Sequence, residues 1–146
     1  MNLRRLTRLA ALVVLAACGA EPGPPLVVSD LQVFAPLPGS STGVAYMTLT
    51  NQSRSELVIR TAQSPQFSRA EFHETRMEDG VMKMRSVEHI AIGAGESVRL
   101  ESGGLHLMLI GADAGAAVGT PVSLEIDHDD GIVIVSATLK SRMPAE

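Results

Sequence analysis

Apolar residues recur along most of this chain in short runs with a period of two, bounded by Gly, Pro, Asn, Asp or Ser. Alternate side chains of a strand face opposite sides, so this pattern predicts strands rather than helices. Nine runs qualify: 26–34, 43–51, 56–62, 69–76, 81–87, 96–102, 104–111, 121–127 and 131–140. A recurrence of about one strand per 8–12 residues favours an antiparallel β-sandwich or barrel. The segment 112–121, ADAGAAVGTP, accommodates one helical turn at most, because its glycines work against more. With three Phe, one Tyr and no Trp, the core must be built from aliphatic side chains.

The first eighteen residues follow another logic. Arg4, Arg5 and Arg8 precede the apolar stretch Leu9–Ala17, the layout of an export signal. The stretch is shorter than the roughly 20 residues that a membrane-spanning helix needs. It ends in Leu15-Ala16-Ala17-Cys18, which resembles the lipobox of bacterial lipoproteins. Residues 1–18 are thus predicted to be a signal peptide whose processing leaves a lipid on the Cys18 thiol. An ordinary secretory signal with an incidental cysteine is the alternative, and the surroundings of Arg4-Arg5 fit a twin-arginine signal poorly. Residues 19–25, ending in EPGPP, form a linker, and 26–141 form a single β-domain.

Cys18 is the only cysteine, which excludes a disulfide, thiol exchange and cysteine-based zinc sites from the domain. It also excludes a blue-copper electron carrier, which needs a thiolate beside two histidines. Removing the signal leaves nine basic residues against sixteen acidic ones, a net charge near −7. Such a surface disfavours nucleic acid, and disfavours membranes except through the anchor.

The candidate chemistry lies between His73 and Met108, a stretch holding three of four histidines and four of seven methionines. His73 and Met84 enclose ten residues, Met84 and His106 twenty-one, and His106 and Met108 one. His106 and Met108, two apart in a strand, share a face, while Leu105, Leu107 and Leu109 point into the core. Met77-Glu78-Asp79-Gly80 reads as a hairpin turn. Centred near Glu78-Asp79, it sets His73 opposite Met84 within about one residue, at a Cβ separation of roughly 5 Å. Met82 shares a face with Met84 and is its rival, whereas Met77 and Met47 read as rim or packing residues. His89 reads as a surface strand residue and His128, in IDHDDG, as part of a solvated turn.

Two imidazoles and two thioethers suit copper(I), which has a filled d shell and bonds well to sulfur. Copper(II) prefers nitrogen and oxygen, and zinc rarely accepts methionine. Four neutral ligands leave the complex at +1, and ligand exchange can release the ion.

The spacing, with the words AYMTLTN, GVMKMR and HLMLIG, resembles the periplasmic copper(I) chaperone family usually called PCuAC, over residues 27–139. The resemblance implies a cupredoxin-like β-barrel, with His73, Met84, His106 and Met108 as the copper(I) ligands. It implies a metallochaperone, not an enzyme, that delivers copper(I) to the copper-bearing subunit of cytochrome c oxidase, alone or with a Sco-type protein. The lipobox adds a tether at Cys18 on the periplasmic side of a bacterial membrane. Family members often end in a His- and Met-rich tail; this chain ends KSRMPAE, with Met143 alone, which argues against a second, copper(II) site. Copper sequestration without an oxidase partner is the alternative function.

Overall fold

The computed structural model describes residues 23–142. Cys18, the signal segment and Met143 lie outside the described residues. Ten strands follow in order: β1 Leu26–Phe34, β2 Thr42–Asn51, β3 Leu57–Gln63, β4 Phe67–Glu78, β5 Val81–Ser86, β6 Ile90–Ile92, β7 Ser97–Leu100, β8 Leu105–Ala112, β9 Pro121–His128 and β10 Gly131–Lys140. Nine match the predicted runs within a few residues. The tenth, β6, is three residues long, too short for alternation to announce it.

The sheet order is β5-β4-β8-β2-β1-β10-β9-β3-β6, and a β3–β4 pairing at Ala62 and Ala70 closes it. Seven strands therefore form a barrel, with β5, β6 and β7 added to β4, β3 and β2. One pairing departs from the antiparallel expectation: β1 and β10 run parallel, Val33 facing Leu139. Parallel strands need a long crossover connection, and here the whole intervening domain supplies it.

Alternation builds the core. Leu49 and Met47 on β2, Ile59 on β3, Leu107 and Leu109 on β8, and Leu124 and Ile126 on β9 are all fully buried. Each such side chain contributes about 1.5–3 kcal/mol relative to exposure. Phe67 and Phe72 are the aromatic members of this otherwise aliphatic cluster. The 112–121 segment forms no helical turn among the described residues. Ala116 N–H donates to the Asp113 carbonyl and Thr120 N–H to that of Ala117, giving two successive tight turns.

The β4–β5 hairpin turns on Asp79 and Gly80, both with positive φ (52° and 77°). A two-residue Asp-Gly loop of this kind matches the right-handed twist of the flanking strands. Its centre lies one residue beyond the expected Glu78-Asp79, so each cross-strand partner moves by two. His73 faces Ser86, not Met84; Met84 faces Thr75, and Met82 faces Met77. A shift of two preserves the side-chain face. His73, Met84 and Met82 therefore remain on one side of the hairpin.

Candidate metal centre

The centre is built on β8, which pairs with β4 on one side and β2 on the other. Leu107 and Leu109 fill the barrel, and alternation sends His106 and Met108 to its outer face. The register sets His73 of β4 directly beside His106, and Glu71 beside Met108. Their ring centroids lie 6.2 Å apart, tilted by 34°. With metal–nitrogen bonds of about 2 Å, two imidazoles sharing one ion have centres up to roughly 6 Å apart. The rings stand at the outer limit of sharing an ion.

Met84, His106 and Met108 line one cavity of about 280 Å³, together with Met82, Thr75 and Arg142. His73 does not line it. Three of the four predicted residues thus meet around one space, with the fourth alongside. A larger cavity of about 460 Å³, lined by Asp30, Arg99 and Glu101 among others, contains no histidine and only the core residue Met47 as a thioether.

Hydrogen bonds fix the imidazoles. His106 is buried, and its Nδ1–H donates to the Gly104 carbonyl at 2.9 Å. A carbonyl only accepts, so the neutral ring keeps its lone pair on Nε2. The same carbonyl accepts the Thr75 N–H at 3.0 Å, tying β4 to the loop ahead of β8. His73 Nε2 lies 3.0 Å from Glu71 Oε2. That hydrogen bond, helped by the Arg69 guanidinium, holds the Glu71 carboxyl below its ordinary range. An ionised carboxylate accepts, so His73 donates from Nε2 and its lone pair sits on Nδ1. A carboxylate hydrogen-bonded to one ring nitrogen orients the imidazole and fixes which nitrogen is left for a metal.

The sulfurs differ in exposure. Met108 is half-buried, whereas Met84 is 54% exposed and Met82 and Met77 each 65%. Among the described residues no three His, Cys, Asp or Glu side chains gather into a metal-binding group. An ion held here would therefore rely on thioether sulfur as well as imidazole.

The other histidines lie elsewhere. His128 is buried, not solvated: it ends β9 opposite Ile59, and its Nδ1 accepts the Asp130 N–H. The neighbouring carboxylates disguised this position, since Asp129 and Asp130 form the turn while His128 still belongs to the strand. His89 is exposed as expected, but it precedes β6 rather than lying in a strand. Glu71 and the Gly104 carbonyl were not anticipated. Glu71-x-His73 on one strand was a legible signal for the first; a backbone carbonyl leaves none.

Comparison with known proteins agrees with this architecture. The LpqE-like family, described as "Putative lipoprotein LpqE-like", matches residues 26–137. The chain belongs to that family. A relative, "Putative lipoprotein Lxx21020" of Leifsonia xyli subsp. xyli (strain CTCB07), is 29% identical over 94 residues, 64% of this chain. The match spans 57% of that relative's own length. The solution structure of CuI-DR1885 from Deinococcus radiodurans is 30% identical, with a TM-score of 0.67, covering 86% of this chain and 85% of that one. The copper-bound PCuAC domain from PmoF2 also superposes with a TM-score of 0.67, covering 81% of this chain and 94% of that domain. At 18% identity the PmoF2 likeness shows the fold alone. This LpqE-like chain therefore has the PCuAC, cupredoxin-like barrel.

Proposed function

We propose that this protein is an extracytoplasmic copper(I)-binding metallochaperone, with His73, Met84, His106 and Met108 as its ligands. The observation that carries the reading is the meeting of Met84, His106 and Met108 around one cavity, beside His73. Soft thioethers with imidazole select the monovalent ion. The 30% identical structure named as CuI-DR1885 supports the same cargo. The ion is cargo, not a catalyst, and no step of chemistry on a substrate is required.

Release follows from the unequal burial of the ligands. His106 is anchored in the barrel wall, while Met84 stands on an exposed strand. An acceptor thiolate or thioether can approach from the open side and displace Met84 first, then the remaining donors. That openness favours transfer over sequestration. The acceptor we propose is the copper-bearing subunit of cytochrome c oxidase, directly or with a Sco-type protein.

Lipid attachment at Cys18 would hold the domain at the periplasmic side of a membrane, and the family's lipoprotein description supports an anchor. Cys18→Ser should block lipid attachment and signal processing without altering the fold. Radiolabelled palmitate and the size of the product check this; wild type and variant both appearing as soluble, cleaved protein contradicts it. The copper reading is tested by anaerobic copper(I) titration against a competing chelator, with one tightly held ion expected per chain. Copper transfer to an isolated oxidase subunit tests the acceptor.

A further inference from the structure

The β4–β5 hairpin has two unlike faces. Glu74, Arg76 and Glu78 alternate along β4 and meet Lys83 and Arg85 of β5 on one face. Arg76 pairs with Glu74 at 2.7 Å, and Glu78 with both Lys83 at 3.0 Å and Arg85 at 2.9 Å. The opposite face carries Met77, Met82 and Met84. All of β5 is exposed, and Met77 on β4 is exposed too, so these sulfurs are not part of the core. Methionine is ordinarily a buried residue, and three exposed on one face of one hairpin require another account.

Their register gives one. Met77 and Met82 face each other next to the Asp79-Gly80 turn. Met84 stands two residues nearer the barrel, opposite Thr75, and His73 and His106 lie beside each other one step further on. Facing Cβ atoms are about 5 Å apart, and successive same-face positions about 7 Å. A methionine side chain with three rotatable bonds covers half of such a step, so neighbouring sulfurs can share one ion. The result is a ladder of soft donors from the hairpin tip to the imidazoles.

We propose that Met77 and Met82 form an entry and exit station for copper(I), passing the ion to and from Met84. This rests on the copper(I) reading of the main site and extends it to how the ion arrives and leaves. Each step is a ligand exchange. A thioether lone pair forms a new Cu–S bond as one existing Cu–S bond breaks; copper stays monovalent, and no proton or electron moves. The station lowers the barrier in both directions, so it changes rates far more than equilibrium affinity.

The test uses the full processed protein, loaded anaerobically with copper(I), with bicinchoninate as the acceptor in stopped flow. Leucine keeps the apolar area and approximate volume of methionine while removing the sulfur. In the Met77→Leu/Met82→Leu double variant, uptake and release should slow together by about tenfold. Their ratio, and hence the affinity, should move much less. Met77→Leu alone should slow both by about two- to threefold. In spectra of protein labelled at the methionine methyls, Met77 and Met82 signals should broaden during copper(I) addition.

Unchanged rates in the double variant would overturn the station. A loss of affinity as large as that of Met84→Leu would also overturn it, making Met82 a resident ligand. Rates that survive leucine but fall with Met77→Ser/Met82→Ser would replace the station with an apolar docking face. If His106→Ala and Met84→Leu both leave affinity intact, the copper(I) site itself is wrong, which separates that failure from failure of the station.

Discussion

The barrel wall and the hairpin arm offer the same kinds of donor from opposite mechanical situations. On β8, His106 and Met108 alternate with Leu107 and Leu109, so burial of the leucines fixes the direction of these two proposed ligands. A partly buried hydrogen bond then fixes the His106 ring. On β5, Met82 and Met84 alternate with Lys83 and Arg85, and the strand has no buried residue. Surface ion pairs of this sort contribute little, typically below about 1 kcal/mol each. One half of the site is thus preorganised by the core, and the other is held by a turn and a ladder of backbone hydrogen bonds. A carrier of the proposed kind needs both, a wall to retain the ion and an arm to let it go.

The sharpest break in that comparison comes from the wall. His106→Ala should weaken copper(I) binding by roughly a thousandfold, about 4 kcal/mol. Met108→Leu should act in the same direction while changing stability by less than about 1.5 kcal/mol, since volume is nearly conserved. Chelator competition reads the first effect and urea unfolding the second. Next is the arm: Met84→Leu should cost roughly a hundredfold, because three ligands remain and the arm was less ordered to begin with. Equal losses for His106→Ala and Met84→Leu would erase the distinction between the regions.

Two smaller effects sharpen it. Glu71→Ala removes the carboxylate behind His73 and should weaken copper(I) about tenfold, with the melting temperature nearly unchanged. Gly80→Ala introduces no clash, because nothing lies within 4 Å of the added Cβ. Its cost is the left-handed backbone, about 1–2 kcal/mol. Loosening the turn should lower affinity a few-fold, through Met84 alone. A Gly80→Ala loss as large as that of His106→Ala would mean that the arm governs the site.

The wall was almost fully legible in the sequence. His106-x-Met108 within an apolar run can face only one way once Leu107 and Leu109 claim the interior. The arm was legible in its faces but not in its register. Asp79-Gly80 was visible as a turn signal, yet only the positive φ at both residues places the centre between them. An error of one residue in the turn became two in the pairing and left parity intact, which is why Met84 stays on the ligand side. What sequence spacing could not supply was lateral contact between distant strands. His73 and His106 become neighbours only through the β4–β8 register, whereas Glu71, two residues from His73 on the same strand, was within reach of spacing alone. The parallel β1–β10 pair was hidden for the same reason, since local alternation carries no strand direction.

X-ray absorption at the copper edge of the singly loaded, anaerobic protein tests the central claim most directly. The account predicts one monovalent copper per chain with a mixed first shell of sulfur and nitrogen, and a fall in the sulfur contribution in Met84→Leu and in Met108→Leu. A first shell of nitrogen and oxygen alone, or a sulfur contribution unchanged in both variants, would contradict it.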